Sequence, residues 1–174
     1  MYKCMCLSVA LGLIIGLVLS CSSSSTLRIG VYDSRAIAIA HANSSEGREF
    51  VMNLMTEMSQ AKAEKNDSMM QHIEKKAKTY QVLSHLRAFS VGSVADMLEK
   101  HKAEVDSIAR EAGVQLIVSK FELVYTGSGV EMVDVTLPLA LMFKPSEQII
   151  QMISGIGEHE VMPMLDVLTI PVEE

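Results

Sequence analysis

The rhythm of apolar positions changes several times along the chain, and each change marks an element. Leu7 to Leu19 is an unbroken, uncharged and mostly apolar run. Leu27 to Tyr32 alternates in side-chain character and is rich in β-formers, which predicts a strand. Asp33 or Ser34 then caps a short apolar helix over Ala36 to Ala42, because either side chain accepts from free helix N–H groups. From Glu46 to Lys65 the residues Phe50, Leu54, Met58 and Ala61 recur three and four apart, the spacing of a helix with one apolar face. Asn66-Asp67-Ser68 breaks it, and Met69, Ile73, Ala77, Tyr80, Leu83 and Leu86 define a second helix. Together they predict an antiparallel helical hairpin over about 45–88, with arms reaching roughly 30 Å at 1.5 Å per residue.

Beyond Ser93, a further stripe of Val94, Met97, His101, Val105, Ile108 and Ala112 predicts a third helix over 93–112, stopped by Gly113. Strands are expected near 114–119, 121–125 and 130–135, the last two joined by the turn Thr126-Gly-Ser-Gly129. Asp134 or Thr136 caps an apolar helical turn that tolerates Pro138 in its first turn. Pro145 ends that turn, Ser146 to Ile153 forms a last helix, and Gly155, Gly157 and Pro163 leave the remainder loosely organised. The fold class is α+β: a small β-sheet body with a projecting helical hairpin.

Composition narrows the function. With 174 residues, the chain is long enough to bury one domain core. Its net charge of −6 argues against a nucleic-acid binder, which needs a basic field. There is no Trp and there are 13 Met, so a core of Met, Ile, Leu and Val is expected. The charge is unevenly placed. Residues 43–90 carry seven Lys or Arg against six Asp or Glu, whereas residues 91–174 carry five against fourteen. The arms are mildly basic and the body is acidic.

Lys3 followed by the run Leu7–Leu19 fits a secretory signal peptide, being shorter than the roughly 18 residues of a membrane-spanning helix. Val18-Leu-Ser-Cys21 resembles a bacterial lipobox, in which the Cys becomes the acylated first mature residue. On this reading residues 1–20 are the signal peptide, 21–26 the lipidated Cys21 with a polar tether, 27–144 the main domain and 145–174 a C-terminal extension. The only other cysteines are Cys4 and Cys6, so the processed chain has no internal disulfide, Cys-ligated zinc or thiol nucleophile. Acylated Cys21 would hold it on a membrane.

Three pieces in order carry a family likeness: Ile29-Gly-Val-Tyr-Asp33, a strand running into a helix; Ala112-Gly-Val-Gln-Leu-Ile-Val-Ser119, followed by Leu123-Val-Tyr125; and Val133-Asp-Val-Thr136, opening a helix. A long helical hairpin separates the first two. Over residues 27–143 this arrangement resembles the OmpH/Skp family of periplasmic chaperones. The resemblance implies a small β body with projecting arms, commonly a homotrimer, that keeps unfolded outer-membrane proteins from aggregating. This chain differs in being acidic and lipidated, with shorter arms and an extension.

The candidate partner-binding residues lie on the hairpin. Met55, Met58, Met69 and Met70 offer adaptable apolar contacts or else form an ordinary hairpin core. Lys62, Lys65, Lys75 and Lys76 offer charge to acidic partners or anionic lipid, or else a solvated face interleaved with Glu64 and Glu74. For catalysis, Asp33 follows a strand as some phosphotransferase nucleophiles do, but Ser34 and Arg35 stand where a second carboxylate is needed, and a helix cap accounts for it. Glu158-His159-Glu160 lacks a second His four residues on, and His101 reads as a packed histidine. Neither a metal site nor a cofactor site is expected. The leading reading is therefore a lipid-anchored, periplasm-facing binding protein, on the outer membrane, for envelope or unfolded outer-membrane proteins, and not an enzyme. The alternative is a structural envelope lipoprotein, and a third reading is an enzyme using Asp33.

Overall fold

A computed structural model describes residues 26–171. The fold is α+β. The first strand, β1 (Leu27–Tyr32), leads directly into α1 (Ser34–Ala42). The hairpin follows as α2 (Ser45–Ala63) and α3 (Asp67–Phe89), about 28 and 34 Å long. Then come α4 (Ala95–Glu99), α5 (Lys102–Ala112), β2 (Leu116–Ser119), β3 (Val130–Asp134), α6 (Thr136–Leu141), α7 (Glu147–Ser154), a 3₁₀ turn (Ile156–Glu158) and α8 (Met164–Val167).

The three strands form a parallel sheet in the order β2-β1-β3. Ile29 sits opposite Leu116 on one side and Met132 on the other, and Gly30 opposite Ile117 and Val133. Alternation therefore puts Tyr32, Ile117 and Val133 on one face, with Val135 just beyond, and these join the main core. The opposite face carries Ile29, buried at its centre, and Leu27, Leu116 and Met132, exposed around it.

The core is centred on α1, whose Ala36, Ile37, Ala38 and Ala40 are buried against α3, α6 and α7. The small alanines let three helices approach one helix closely. Leu139, Ala140 and Phe143, Val94 and Met97, and Ile153 and Ile156 complete the packing. Of the Met, Ile, Leu and Val expected in the core, Ile, Leu and Val are there beside alanine, and methionine is scarce. Met97 is the one methionine among the described buried apolar residues, while Met52, Met55, Met69, Met132, Met152, Met162 and Met164 face outward.

Four of the described helices, α1, α2, α3 and α7, start on a side-chain cap, Asp33 serving α1. Ser44 accepts from Gly47 N (3.1 Å), Asn66 from Met69 N (3.0 Å) and Ser146 from Ile149 N (3.5 Å). Gly47 lies where α2 crosses the end of α1, and a Cβ there would collide with the His41 carbonyl. Gly113 ends α5 at φ 65°, a left-handed conformation that suits glycine.

Two expected elements need correction. The helix over 93–112 is two helices, α4 and α5, broken at Lys100–His101, where both side chains turn toward Glu46 of α2. No strand forms at 121–125. After Ser119 the chain turns, Glu122 N donating to Ser119 O at 3.0 Å, and Phe121 lies over the Arg35 guanidinium. Both edges of β1 are already taken, so a fourth strand would find only the outer edges of β2 or β3.

The helix expected over Ser146 to Ile153 forms as α7 and packs on α1, but residues 155–171 are not loosely organised as expected, since α8 packs on α3. Ser90 Oγ donates to Met162 O (2.7 Å), and Met162 N donates to Phe89 O (3.0 Å), which pins the extension to the base of the hairpin.

Candidate functional site: the hairpin surface and the Asp33 crevice

The hairpin has a small apolar core of its own. Leu54, Ala61 and Ile73 are buried between its arms, with Met58, Met70 and Ala77 packed against them. These positions follow the three-and-four spacing of the sequence, which explains why the arms face each other as they do. The candidate methionines therefore divide. Met58 and Met70 turn inward and serve the hairpin core, whereas Met55 is 64% exposed and Met69 42% exposed. Met52 and Phe50 add to the outward apolar surface.

Lys62 and Lys65 lie at the exposed tip, where Lys65 adopts a left-handed φ of 52° to turn the chain between the arms. Lys75 and Lys76 lie further down α3 and are exposed. Lys76 Nζ stands 3.5 Å from Glu57 of the facing arm and 5.8 Å from the centre of the Phe50 ring. Phe50 in turn stacks on Tyr80, with ring centres 4.4 Å apart and tilted by 34°. A shallow groove of about 440 Å³ opens here, lined by Phe50, Tyr80 and Leu83 with His72, Lys75 and Lys76. The sequence pattern marks Phe50, Tyr80 and Leu83 as apolar-face residues, yet gives no sign that they share an open surface. Cys21 lies outside the described residues.

At the hairpin base a second polar cluster joins three elements. The Glu46 carboxylate of α2 accepts from Lys100 Nζ (2.9 Å) and lies 3.1 Å from His101 Nε2. His41, at the end of α1, stands 3.7 Å away, and both imidazoles meet the Phe143 ring edge-on. The hydrogen bond from Lys100 holds the Glu46 carboxyl down at about 2. Burial pushes the His41 imidazole below its usual value.

A second concave region lies at the carboxyl ends of the three parallel strands, where crevices of open α/β sheets commonly form. It encloses about 400 Å³ and is lined by Tyr32, Asp33, Lys120, Asp134, Thr136 and Ile153 among others. Asp33 is 3% exposed. Its Oδ1 accepts from Arg35 N (3.0 Å) and Arg35 Nε (3.1 Å), and its Oδ2 from Arg35 Nη2 (2.7 Å) and Lys120 Nζ (2.7 Å). Burial pushes the carboxyl up, but the hydrogen bonds from Arg35 and Lys120 outweigh it and hold Asp33 below its ordinary value. Asp33 is thus a helix cap and an ion-pair partner, with its acceptor sites engaged.

Arg35, which sequence reasoning set aside, is the centre of this arrangement. Buried to 3% exposure, it also donates to the carbonyls of Ile156 (2.8 Å), His159 (3.0 Å) and Glu160 (3.4 Å). Glu158-His159-Glu160 therefore contributes backbone acceptors to Arg35, and its side chains are exposed. A second carboxylate, Asp134, does reach the crevice from the end of β3, and its Oδ1 accepts from Thr136 N (2.8 Å). The parallel between Tyr32-Asp33 and Val133-Asp134, each closing a strand before a helix, is the sequence signal that marks it. Among the described residues no three His, Cys, Asp or Glu side chains gather as metal ligands, and no helix is long and apolar enough to cross a membrane.

With this geometry the chain can be set beside known proteins. It matches no known family model. Curated proteins and solved structures give no match either.

Proposed function

We propose that this chain is a binding protein of the OmpH/Skp type, which holds unfolded or envelope protein partners on its helical hairpin and performs no chemistry on them. The observation that carries the reading is the division of apolar residues on the arms. A thin core of Leu54, Ala61 and Ile73 joins them, and Phe50, Met52, Met55, Met69 and Leu83 remain on the outside beside the lysines. Methionine surfaces of this kind repack against varied partners. The saturated Asp33 carboxylate speaks against the enzyme reading, since a nucleophile or base needs a free lone pair.

Acylation of Cys21 would anchor the protein in the cell envelope, on the outer membrane and facing the periplasm. A homotrimer would form through the sheet. Among the described residues the outer edges of β2 and β3 are open, and Val124, in the loop beside them, is 97% exposed. Open edges of this kind recruit further strands. A light-scattering mass of one subunit would remove the trimer.

The decisive assay dilutes a urea-unfolded outer-membrane protein into buffer with the full chain in several-fold molar excess and follows turbidity. Suppressed aggregation is expected. Unchanged turbidity overturns the holding function and leaves a structural envelope lipoprotein.

A further inference from the structure

Resting on the holding function just proposed, we infer that the groove between Phe50 and Leu83 is a docking point for one class of polypeptide segment: a large apolar or aromatic side chain flanked by carboxylates. The floor is built for an inserted side chain. Phe50 and Tyr80 form a fixed aromatic wall, and Leu83 closes the lower end. At about 440 Å³ the groove falls within the range of small-ligand clefts, roughly 300–1,000 Å³, and accepts one or two residues. A few buried residues, tyrosine prominent among them, carry most of the binding energy at protein interfaces.

The rim sets the charge of the partner. Lys75 and Lys76 stand beside the aromatic floor with His72 on the same helix. Lys76 is held only by a half-exposed pair with Glu57 at 3.5 Å, an interaction worth little in water, so it exchanges readily for an incoming carboxylate. Glu57 and Glu74 interrupt the basic field, which is too short and mixed for a polyphosphate chain. A bilayer surface would meet a row of lysines and leave the pit unfilled. A single acidic, apolar segment satisfies both parts at once.

The test uses the full chain and three fluorescein-labelled synthetic peptides of equal length. One has a central Phe flanked by Asp, one a central Phe flanked by Lys, and one a central Ala flanked by Asp. Anisotropy titration at low salt is expected to show binding of the first, weakened about tenfold or more for either other peptide. Charge reversal by Lys75→Glu with Lys76→Glu, both at exposed positions, should abolish the preference for Asp flanks. Leu83→Asp, with the helix content checked by circular dichroism, should weaken the Phe–Asp peptide likewise. Equal binding of all three peptides, an unmoved titration in the lysine variant, or binding to phosphatidylglycerol vesicles in place of peptide overturns the inference. If turbidity is suppressed while the Phe–Asp peptide fails to bind, the groove assignment alone falls. If suppression is absent as well, the holding function falls with it.

Discussion

Arg35→Met tests the centre of the fold. The substitution keeps an unbranched apolar stem of similar reach and removes the guanidinium. Asp33 then stays buried with only Lys120 Nζ and one backbone N–H as donors, and the carbonyls of Ile156, His159 and Glu160 lose their shared partner. Removing one member of a buried ion pair costs about 3–5 kcal/mol, because the other charge is left without compensation. Lys120 still neutralises part of the Asp33 charge, so the lower half of that range, about 3–4 kcal/mol, is expected. Urea unfolding followed by far-UV circular dichroism measures it. Limited proteolysis supplies a local readout, since the 155–163 segment loses its anchor and should be cut first. Asp33→Asn in the same chain removes the orphaned charge, so the double variant should regain much of the loss. A loss below about 1 kcal/mol for Arg35→Met, or a double variant as unstable as the summed single variants, would refute the assignment of Arg35 as the clasp.

The hairpin and its base yield two more predictions. Ile73→Ala empties the centre of the hairpin core and should cost about 2–4 kcal/mol, felt locally. Hydrogen exchange is expected to rise in α2 and the first half of α3 while the amides of β1 and α1 keep their protection; uniform loss would show that the arms have no separate core. Acid should loosen the hairpin base. The Glu46 carboxyl sits at about 2 when folded against 4.5 unfolded, so its contribution is present above 4.5 and fades as pH falls toward 2. His41, held neutral by burial, acts in the same direction, because the unfolded chain takes up its proton first as pH drops through 6.5. Glu46 is partly exposed, so screening limits its share to about 1 kcal/mol. The stability difference between the native chain and Glu46→Gln should shrink below pH 4.5, and a difference that stays constant down to pH 3 contradicts the reading.

Local signals in the sequence carried far where local physics decides. The spacing of Leu54, Ala61 and Ile73 and the cap at Asp33 are matters of a few neighbouring residues, and both appear in the fold; the break expected at Asn66-Asp67-Ser68 falls slightly earlier, at Glu64–Lys65, with Asn66 as the cap and Asp67 and Ser68 already in α3. The 121–125 segment has the composition of a strand, but strand formation needs a partner, and β1 has no free edge to offer. That fact depends on pairings distant in sequence, Ile29 with Leu116 and Ile29 with Met132. The break at His101 is equally non-local. Its stripe continues from α4 into α5, but Glu46, far away in sequence, draws Lys100 and His101 out of line. The pairing of Arg35 with Asp33 is local, but its other partners, Ile156, His159 and Glu160, act through backbone carbonyls, which no side-chain pattern reveals. Methionine count says little about where each methionine sits. Exposed Met on the arms is invisible to composition, which cannot separate the inward Met58 and Met70 from the outward Met55 and Met69.

The two polar clusters gain meaning from where they sit on α1. Arg35 stands at the start of that helix, fixed to the crevice and to the C-terminal segment, while His41 stands at its end, against Glu46 and Phe143. Between them the alanines of α1 admit α3 on one side and α6 and α7 on others. A nine-residue helix therefore sets the direction of the arms relative to the sheet. The segment carrying α8 ties the far end of α3 down through Ser90 and Met162, so the hairpin is held at its root by contacts from both chain directions. Beyond that root the arms meet through Leu54, Ala61, Ile73 and their neighbours, with the Phe50–Tyr80 stack and the exposed Lys76–Glu57 pair. Rigidity at the base with a thin core above it concentrates motion in the outer arms, where few buried contacts oppose local opening. Met55, Met69, Lys62 and Lys65 lie on that outer part, so on the function proposed above the surface that would meet a partner is also the part of the fold that adapts at least cost.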